Sequence, residues 1–119
     1  MEKDIQLTGI GNALVDLQYE IEDDGVGTLG MQKGEMKLAD AEEQSKLIEK
    51  LSDKEHFRCS GGSVANSMIA FSKFGGRGAF QTTLGNDELG LFYSNEFKDL
   101  DIIVHAELLD SQPTGTCVV

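Results

Sequence analysis

The sequence predicts an α/β fold, a parallel sheet core with a small antiparallel sheet beside it, and three observations carry the prediction. Segments with strand character alternate with helical ones along most of the chain, the order that builds parallel sheets. One early segment alternates strictly: Val15, Leu17, Tyr19 and Ile21 are apolar against Asp16, Gln18, Glu20 and Glu22, the period of a sheet with one buried and one wet face. Val64, Met68 and Phe71, with Ala65 and Ile69 beside them, form an apolar helical stripe that begins after Gly61-Gly62 and stops at Gly75-Gly76.

The remaining elements follow in chain order. Ile5 to Ile10 reads as an opening strand, ended by a Gly9-Ile10-Gly11-Asn12 turn where backbone can approach closely. The alternating strand runs into Asp23-Asp24-Gly25, which turns the chain. Gly34 to Leu38 is a second short candidate for the half-exposed sheet. Asp40, with Glu43 three residues on, forms a capping box before a helix carrying Ala41, Gln44, Leu47, Ile48 and Leu51 on one face. Phe57 to Cys59 is a brief strand feeding the glycine turn, and Ala79 to Leu84 is another strand. Gly85-Asn86-Asp87 then supplies a turn and an amino-terminal cap for a helix with Leu89, Phe92, Tyr93, Phe97 and Leu100. Ile102 to Leu109 and Thr116 to Val119 flank Ser111-Gln112-Pro113-Thr114-Gly115 as a hairpin, and the second strand reads as cut short at Val119.

Composition narrows the function classes. The 119 residues hold 39% hydrophobic and 26% charged residues, enough to bury one ordinary core. Ten Lys and Arg against 21 Asp and Glu give a net charge of -11, which repels nucleic-acid backbones and anionic membrane surfaces. A single nucleotide stays open as a ligand, since a nest of backbone N–H groups binds phosphate whatever the net charge. Cys59 and Cys117 lie far apart, without Cys-x-x-Cys spacing or nearby histidine pairs, so they read as free thiols in a reducing cytoplasm and not as a zinc site. No basic segment followed by an apolar run opens the chain, and no stretch approaches the roughly 18 apolar residues of a membrane span. A cytoplasmic location is the expectation.

Three phosphate-binding glycine patterns can be tested. Gly9-Ile10-Gly11 follows a strand, but the third glycine of a dinucleotide fingerprint would fall at Leu14, and strand alternation follows in place of a helix. Gly85-Asn86-Asp87-Glu88-Leu89-Gly90 has P-loop glycine spacing, but Leu91 and Phe92 stand where Lys and Ser or Thr would meet phosphate and magnesium. No protein-kinase glycine loop is present either. The remaining turn is Ser60-Gly61-Gly62-Ser63-Val64-Ala65-Asn66-Ser67. Its glycines let a ligand lie against main chain, the first-turn N–H groups of the helix lack intrahelical partners, and Asn66 adds donors and an acceptor. An isolated Gly-Gly is more often only a tight turn. Asp16 shifts the balance, because an ionised carboxylate accepts both protons of a vicinal diol, and with Asn12, Gly61, Gly62 and Asn66 it supplies the chemistry of a sugar pocket.

These residues resemble the ribokinase and adenosine kinase family, the phosphofructokinase B type of carbohydrate kinase, over essentially the whole chain. Gly9-Ile10-Gly11-Asn12 with Leu14-Val15-Asp16 is similar to its opening strand and diol-binding aspartate, and Ser60 to Ser67 to its amino-terminal signature. Leu84 to Gly90 matches its later Gly-x-Asp-x-x-Gly turn. Gln112-Pro113-Thr114-Gly115-Thr116-Cys117 is similar to the lid strand of the nucleoside-phosphorylating branch, and Lys33-Gly34-Glu35-Met36 suits the lid loop.

The resemblance implies a ribokinase-like three-layer parallel-sheet core, incomplete here, with an antiparallel β-sheet lid closing over a sugar or nucleoside. Residues 1–14 and 39–101 would belong to the core, and 15–38 and 102–119 to the lid. It further implies transfer of the ATP γ-phosphoryl group, with Mg2+, to a primary hydroxyl. Asp16 and Asn66 would bind sugar hydroxyls, Gly61 and Gly62 would press main chain against the ring, and Asn12 would orient the ligand. The general base, the anion hole and the adenine pocket would lie downstream of Val119, so no residue of this chain is expected to be catalytic and the chain alone is expected to be inactive. Met36, Leu38 and Tyr19 are candidates for an apolar floor under a base or for ordinary sheet packing. A dimer formed through the lid, and a non-catalytic binding module whose lid strands pair with another chain, are the further readings.

Overall fold

A computed structural model describes residues 4–119. In chain order the elements are β1 (Leu7–Ile10), β2 (Leu14–Tyr19), α1 (Gly25–Thr28), α2 (Ala41–Lys50), β3 (His56–Gly61), α3 (Ser63–Lys73), β4 (Gly78–Gly85), α4 (Glu88–Asp99), β5 (Ile103–Leu109) and β6 (Thr116–Val118). They form two three-stranded sheets, one ordered β1-β4-β5 and the other β3-β2-β6.

The β1-β4-β5 sheet is parallel throughout, and its helical crossovers explain why: α3 leads into β4, and α4 carries the chain back to lay β5 beside it. Phe80, Thr82 and Leu84 face inward from β4. Phe80 meets Phe97 of α4 at a ring separation of 5.4 Å, and Tyr93 stacks on Phe97 at 4.7 Å. Those rings, with Met68 and Ala65 of α3, join Val15 and Leu17 from β2 in one core. The strict alternation of β2 therefore does what its period requires: its odd residues enter the core shared by both sheets, and Asp16 faces the other way.

The amino-terminal ends of α2 and α4 form as their sequences require. The Asp40 side chain accepts from the Glu43 N–H at 2.8 Å while Glu43 reaches back to the Asp40 N–H, completing the capping box. Asp87 caps α4 through the Gly90 N–H at 2.8 Å. Helix α2 leans on the small sheet, where Gln44 Nε2 donates to the Thr116 carbonyl at 2.8 Å.

Four expectations need correction. First, 103–109 is not a lid strand, because β5 pairs along its length with β4; the α4 crossover returns it to the parallel sheet. Second, β3, expected in the core layer, pairs antiparallel with β2 from Leu14↔Gly61 to Tyr19↔His56 and belongs to the small sheet. Third, β5 and β6 lie in different sheets and make no hairpin. β6 runs parallel to β2, so the small sheet is mixed and not wholly antiparallel. Fourth, Gly34 to Leu38 forms no strand. Met36 and Leu38 are 91% and 94% exposed, so neither is packed as an ordinary sheet residue. Tyr19 packs instead against the core and meets the His56 ring, tilted by 30°, at a ring separation of 4.9 Å. Among the described residues no helix is long and apolar enough to cross a membrane.

Candidate ligand-binding site

Asp16 sits at the centre of β2, and the register of the small sheet fixes its neighbours. Directly paired residues share a face, so three cross-strand rows lie on the side away from the core. Leu14 pairs with Gly61, Asp16 lies between Cys59 of β3 and Cys117 of β6, and Gln18 pairs with Phe57. The backbone bonds of Val119 to Leu17 and Tyr19 bracket Gln18 on the other side. Phe57 is 78% exposed. Across these rows Asp16 is the only charged side chain.

Gly61 is glycine for a steric reason. A Cβ there would meet Asp16 Oδ2 at 2.8 Å, so only the missing side chain lets the carboxylate lie against the main chain. Gly62 has φ +113°, a conformation that L side chains rarely adopt, and a Cβ on it would come within 2.4 Å of the Asn12 carbonyl oxygen. The Asn12 turn and the Gly62 turn are thus pressed together. Gly62 is also the N-cap residue of α3 and offers no side-chain acceptor to the first-turn N–H groups. From behind, the buried Tyr93 hydroxyl donates to the Gly61 carbonyl at 3.1 Å, and Glu96 accepts from the Ser60 N–H at 2.8 Å and from its hydroxyl. Burial, then Glu96 and Asp16, push the Tyr93 hydroxyl well above its ordinary value, which keeps it a neutral donor.

The five expected site residues are therefore not equally placed. Asp16 meets Gly61, and Gly62 meets the backbone of Asn12. Asn66 is exposed in the first turn of α3; its backbone N–H donates to the Gly62 carbonyl at 2.8 Å, but its side chain makes no hydrogen bond among the described residues. A separate cleft of about 920 Å3 opens over the uncovered side of the parallel sheet, lined by Asn12, Gln81, Thr83, His105 and Glu107 among others. Asn12 stands on its rim, and Asp16, Gly61 and Asn66 lie outside it.

One pairing escapes a reading of either motif alone. The Asp87 carboxylate, besides capping α4, accepts from the Thr114 N–H at 2.8 Å and from its hydroxyl at 2.6 Å. Thr114 is 3% exposed, and its Oγ1 also accepts from the Gly85 N–H at 3.0 Å. Partial burial pushes the Asp87 carboxyl up, but the Thr114 hydroxyl, its N–H and the Gly90 and Leu89 N–H groups outweigh that and hold it below the usual range. Gly115 follows directly and accepts from the Val15 N–H at 2.9 Å, so this clasp delivers β6 to the flank of Asp16. The signal for it was a Gly-x-Asp-x-x-Gly turn and a Pro-Thr-Gly loop, each visible, with nothing local to join them.

The arrangement suits a neutral polyhydroxy compound better than a phosphate. The Asp16 carboxylate would repel an anion brought to the Gly61-Gly62 turn, and the donors of α4 are occupied by Asp87. Among the described residues no group of three or more His, Cys, Asp or Glu is placed to hold a metal ion.

No family model and no curated protein matches the sequence. Solved structures do. Adenosine kinase from Anopheles gambiae, in complex with P1,P4-di(adenosine-5) tetraphosphate, superposes with a TM-score of 0.84 at 26% identity, over 99% of this chain and 38% of that one. Adenosine kinase from Schistosoma mansoni, in complex with adenosine in an occluded loop conformation, gives 0.82 at 18% identity, over 98% and 36%. A probable sugar kinase from Rhizobium etli gives 0.78 at 23% identity, over 96% and 34%. The chain thus spans little more than a third of the proteins it matches while being matched almost in full. These likenesses give the chain a ribokinase/adenosine kinase-like fold, and those at 26% identity support that family, its amino-terminal portion.

Proposed function

We propose that this chain is the acceptor-binding portion of an ATP-dependent nucleoside or sugar kinase, with a nucleoside such as adenosine favoured over a free sugar. The observation that carries the reading is the Asp16 carboxylate seated against the Gly61 main chain on a sheet face with no other charged side chain. A vicinal diol gives both protons to such a carboxylate in charge-assisted hydrogen bonds. Leu14, Phe57 and Val119 on the same face offer apolar contact that a base could use and a free ribose could not. The adenosine-bound kinase among the solved likenesses supports the same choice.

In this reading the small sheet acts as a lid: Gly61 and Gly62 present main chain to the sugar ring, Asn12 and Asn66 flank it, and closure excludes water from the acceptor hydroxyl. The donor would be ATP with Mg2+. The residues present do not fit that group, since the α4 amino terminus is filled by Asp87 and, among the described residues, no acidic cluster is placed for a metal. Phosphoryl transfer depends on positioning and on stabilising charge at the transferring group, and no residue here is assigned to that task. The proposed setting is cytoplasmic.

Calorimetric titration of the full chain with adenosine, ribose and fructose tests the reading. Adenosine should bind with the highest affinity, and Asp16→Ala should weaken it by one to two decades, the worth of about 1.5 to 3 kcal/mol for hydrogen bonds to a charged group. Equal affinity of wild type and Asp16→Ala for every ligand would sink it.

A further inference from the structure

We propose that Cys59 and Cys117 form a paired thiol-modification site across the ligand face, at which a low-molecular-weight disulfide closes the site to its ligand. The inference rests on the reading of Asp16 as the acceptor-binding carboxylate and adds a form of regulation to it.

The geometry comes from the strand register. Asp16 pairs with Cys59 on one side and with Cys117 on the other, so a thiol flanks the carboxylate on each neighbouring strand. Cys59 Sγ lies 4.0 Å from Asp16 Oδ2 and accepts from Gln18 Nε2 at 3.5 Å. Cys117 is exposed and Cys59 half-buried, and both are free. Two strand spacings separate the thiols' strands, about 9 to 10 Å. That exceeds the roughly 7 Å between Cα atoms that a disulfide can span. The pair cannot protect itself by closing on itself, and oxidation has to come from outside.

With a small disulfide as co-reactant the step balances. A Cys117 thiolate attacks one sulfur of the disulfide, a new S–S bond forms as the old one breaks, and the departing thiolate takes up a proton from water. When the reagent is cystamine, the adduct carries an ammonium on a short tether beside Asp16. It then fills the space a diol would occupy and pairs with the carboxylate that would have received it. Burial and the charges of Asp16, with Glu96 of α4 for Cys59, push both thiols up, so Asp16 restrains the attack. A ligand seated on Asp16 would cover both sulfurs.

The test treats the full chain with cystamine, maps adducts at Cys59 and Cys117 by mass spectrometry, and measures adenosine affinity on the same samples. The expected result has four parts. Cys117 reacts first. Its modification weakens adenosine binding by about tenfold or more, reversibly with dithiothreitol. Saturating adenosine slows the reaction at both sites. The double substitution C59S/C117S abolishes any response of binding to cystamine, whatever its own starting affinity. Asp16→Asn, which removes the restraining charge, should accelerate alkylation of both thiols by iodoacetamide without any ligand present. Full modification with adenosine affinity unchanged would overturn the proposal alone, as would thiol rates indifferent to both adenosine and Asp16→Asn. Failure of the unmodified chain to bind adenosine, ribose or fructose would sink the acceptor reading, and the proposal with it.

Discussion

Two helices of this chain start from glycine turns, and their ends are finished in opposite ways. At α4 the turn supplies its own acceptor: Asp87 takes the Gly90 N–H and both donors of Thr114, and Glu88 adds a second acid to the first turn. At α3 the N-cap is Gly62, with no side-chain cap and no acid in the first turn. The carboxylate beside that turn, Asp16, comes from another strand and lies against Gly61 without bonding to the turn's donors. A turn that consumes its donors internally is a fastening, and one that leaves them open beside a carboxylate from elsewhere is, in the proposed function, a place for a ligand. The same local pattern of glycine before helix thus has two meanings, decided by where the nearest carboxylate belongs.

The comparison can be broken from either side. Asp87→Ala should produce the largest loss of stability. It removes a cap and strands the buried donors of Thr114, about 2 to 4 kcal/mol in urea unfolding. Its acid dependence has a definite sign. The folded-state carboxyl lies below the ordinary 3.8, so its stabilisation is complete above that value and is lost as pH falls through the depressed one. Unfolding followed from about pH 5 down to pH 2 should show a steeper loss in wild type than in Asp87→Asn. Asp16→Ala should do the reverse, with acceptor affinity falling by about 1.5 to 3 kcal/mol and stability held to within about 0.5 kcal/mol, as for a residue away from the core. Gly62→Ala should cost both, by about 1 to 3 kcal/mol of backbone strain, since the turn must move off the Asn12 carbonyl. If it lowers stability but leaves adenosine affinity intact, the open turn is only a fastening like the other. The smallest effect belongs to Arg58→Ala. The Arg58 to Glu88 ion pair is 2.7 Å long, but the Glu88 side chain is 80% exposed, and about 0 to 1 kcal/mol is expected.

How much of this was legible depended on the range over which each signal acts. The Asp40 to Glu43 box, the Asp87 cap and the apolar stripe from Val64 to Phe71 are local, and each formed where the sequence puts it. The alternation through Val15 and Leu17 also needed no partner to be read. Sheet membership was different. Val104 and Ala106 alternate with His105 and Glu107 as they would in either sheet, and only the α4 crossover decides that β5 lies beside β4. In the site, Asp16, Gly61 and Gly62 could be chosen by residue type. The clasp of Asp87 on Thr114 spans 27 positions and the approach of Cys59 to Asp16 spans 43, distances over which chain pattern carries no pairing information. Gly34 to Leu38 misled because only Met36 and Leu38 carry the alternation, while Gly34, Glu35 and Lys37 are residues that strands disfavour.

The hydroxyl that Tyr93 gives to the Gly61 carbonyl has an optical consequence. These 119 residues contain no tryptophan and only two tyrosines, Tyr19 against His56 and Tyr93 under the turn. Tyrosine emission and the tyrosine bands of the near-ultraviolet circular dichroism therefore come from two places, and one of them is bonded to the main chain that Asp16 rests on. A displacement of the turn would change the environment of a single buried chromophore, so the protein carries its own gauge of whether that corner has moved, with no label added.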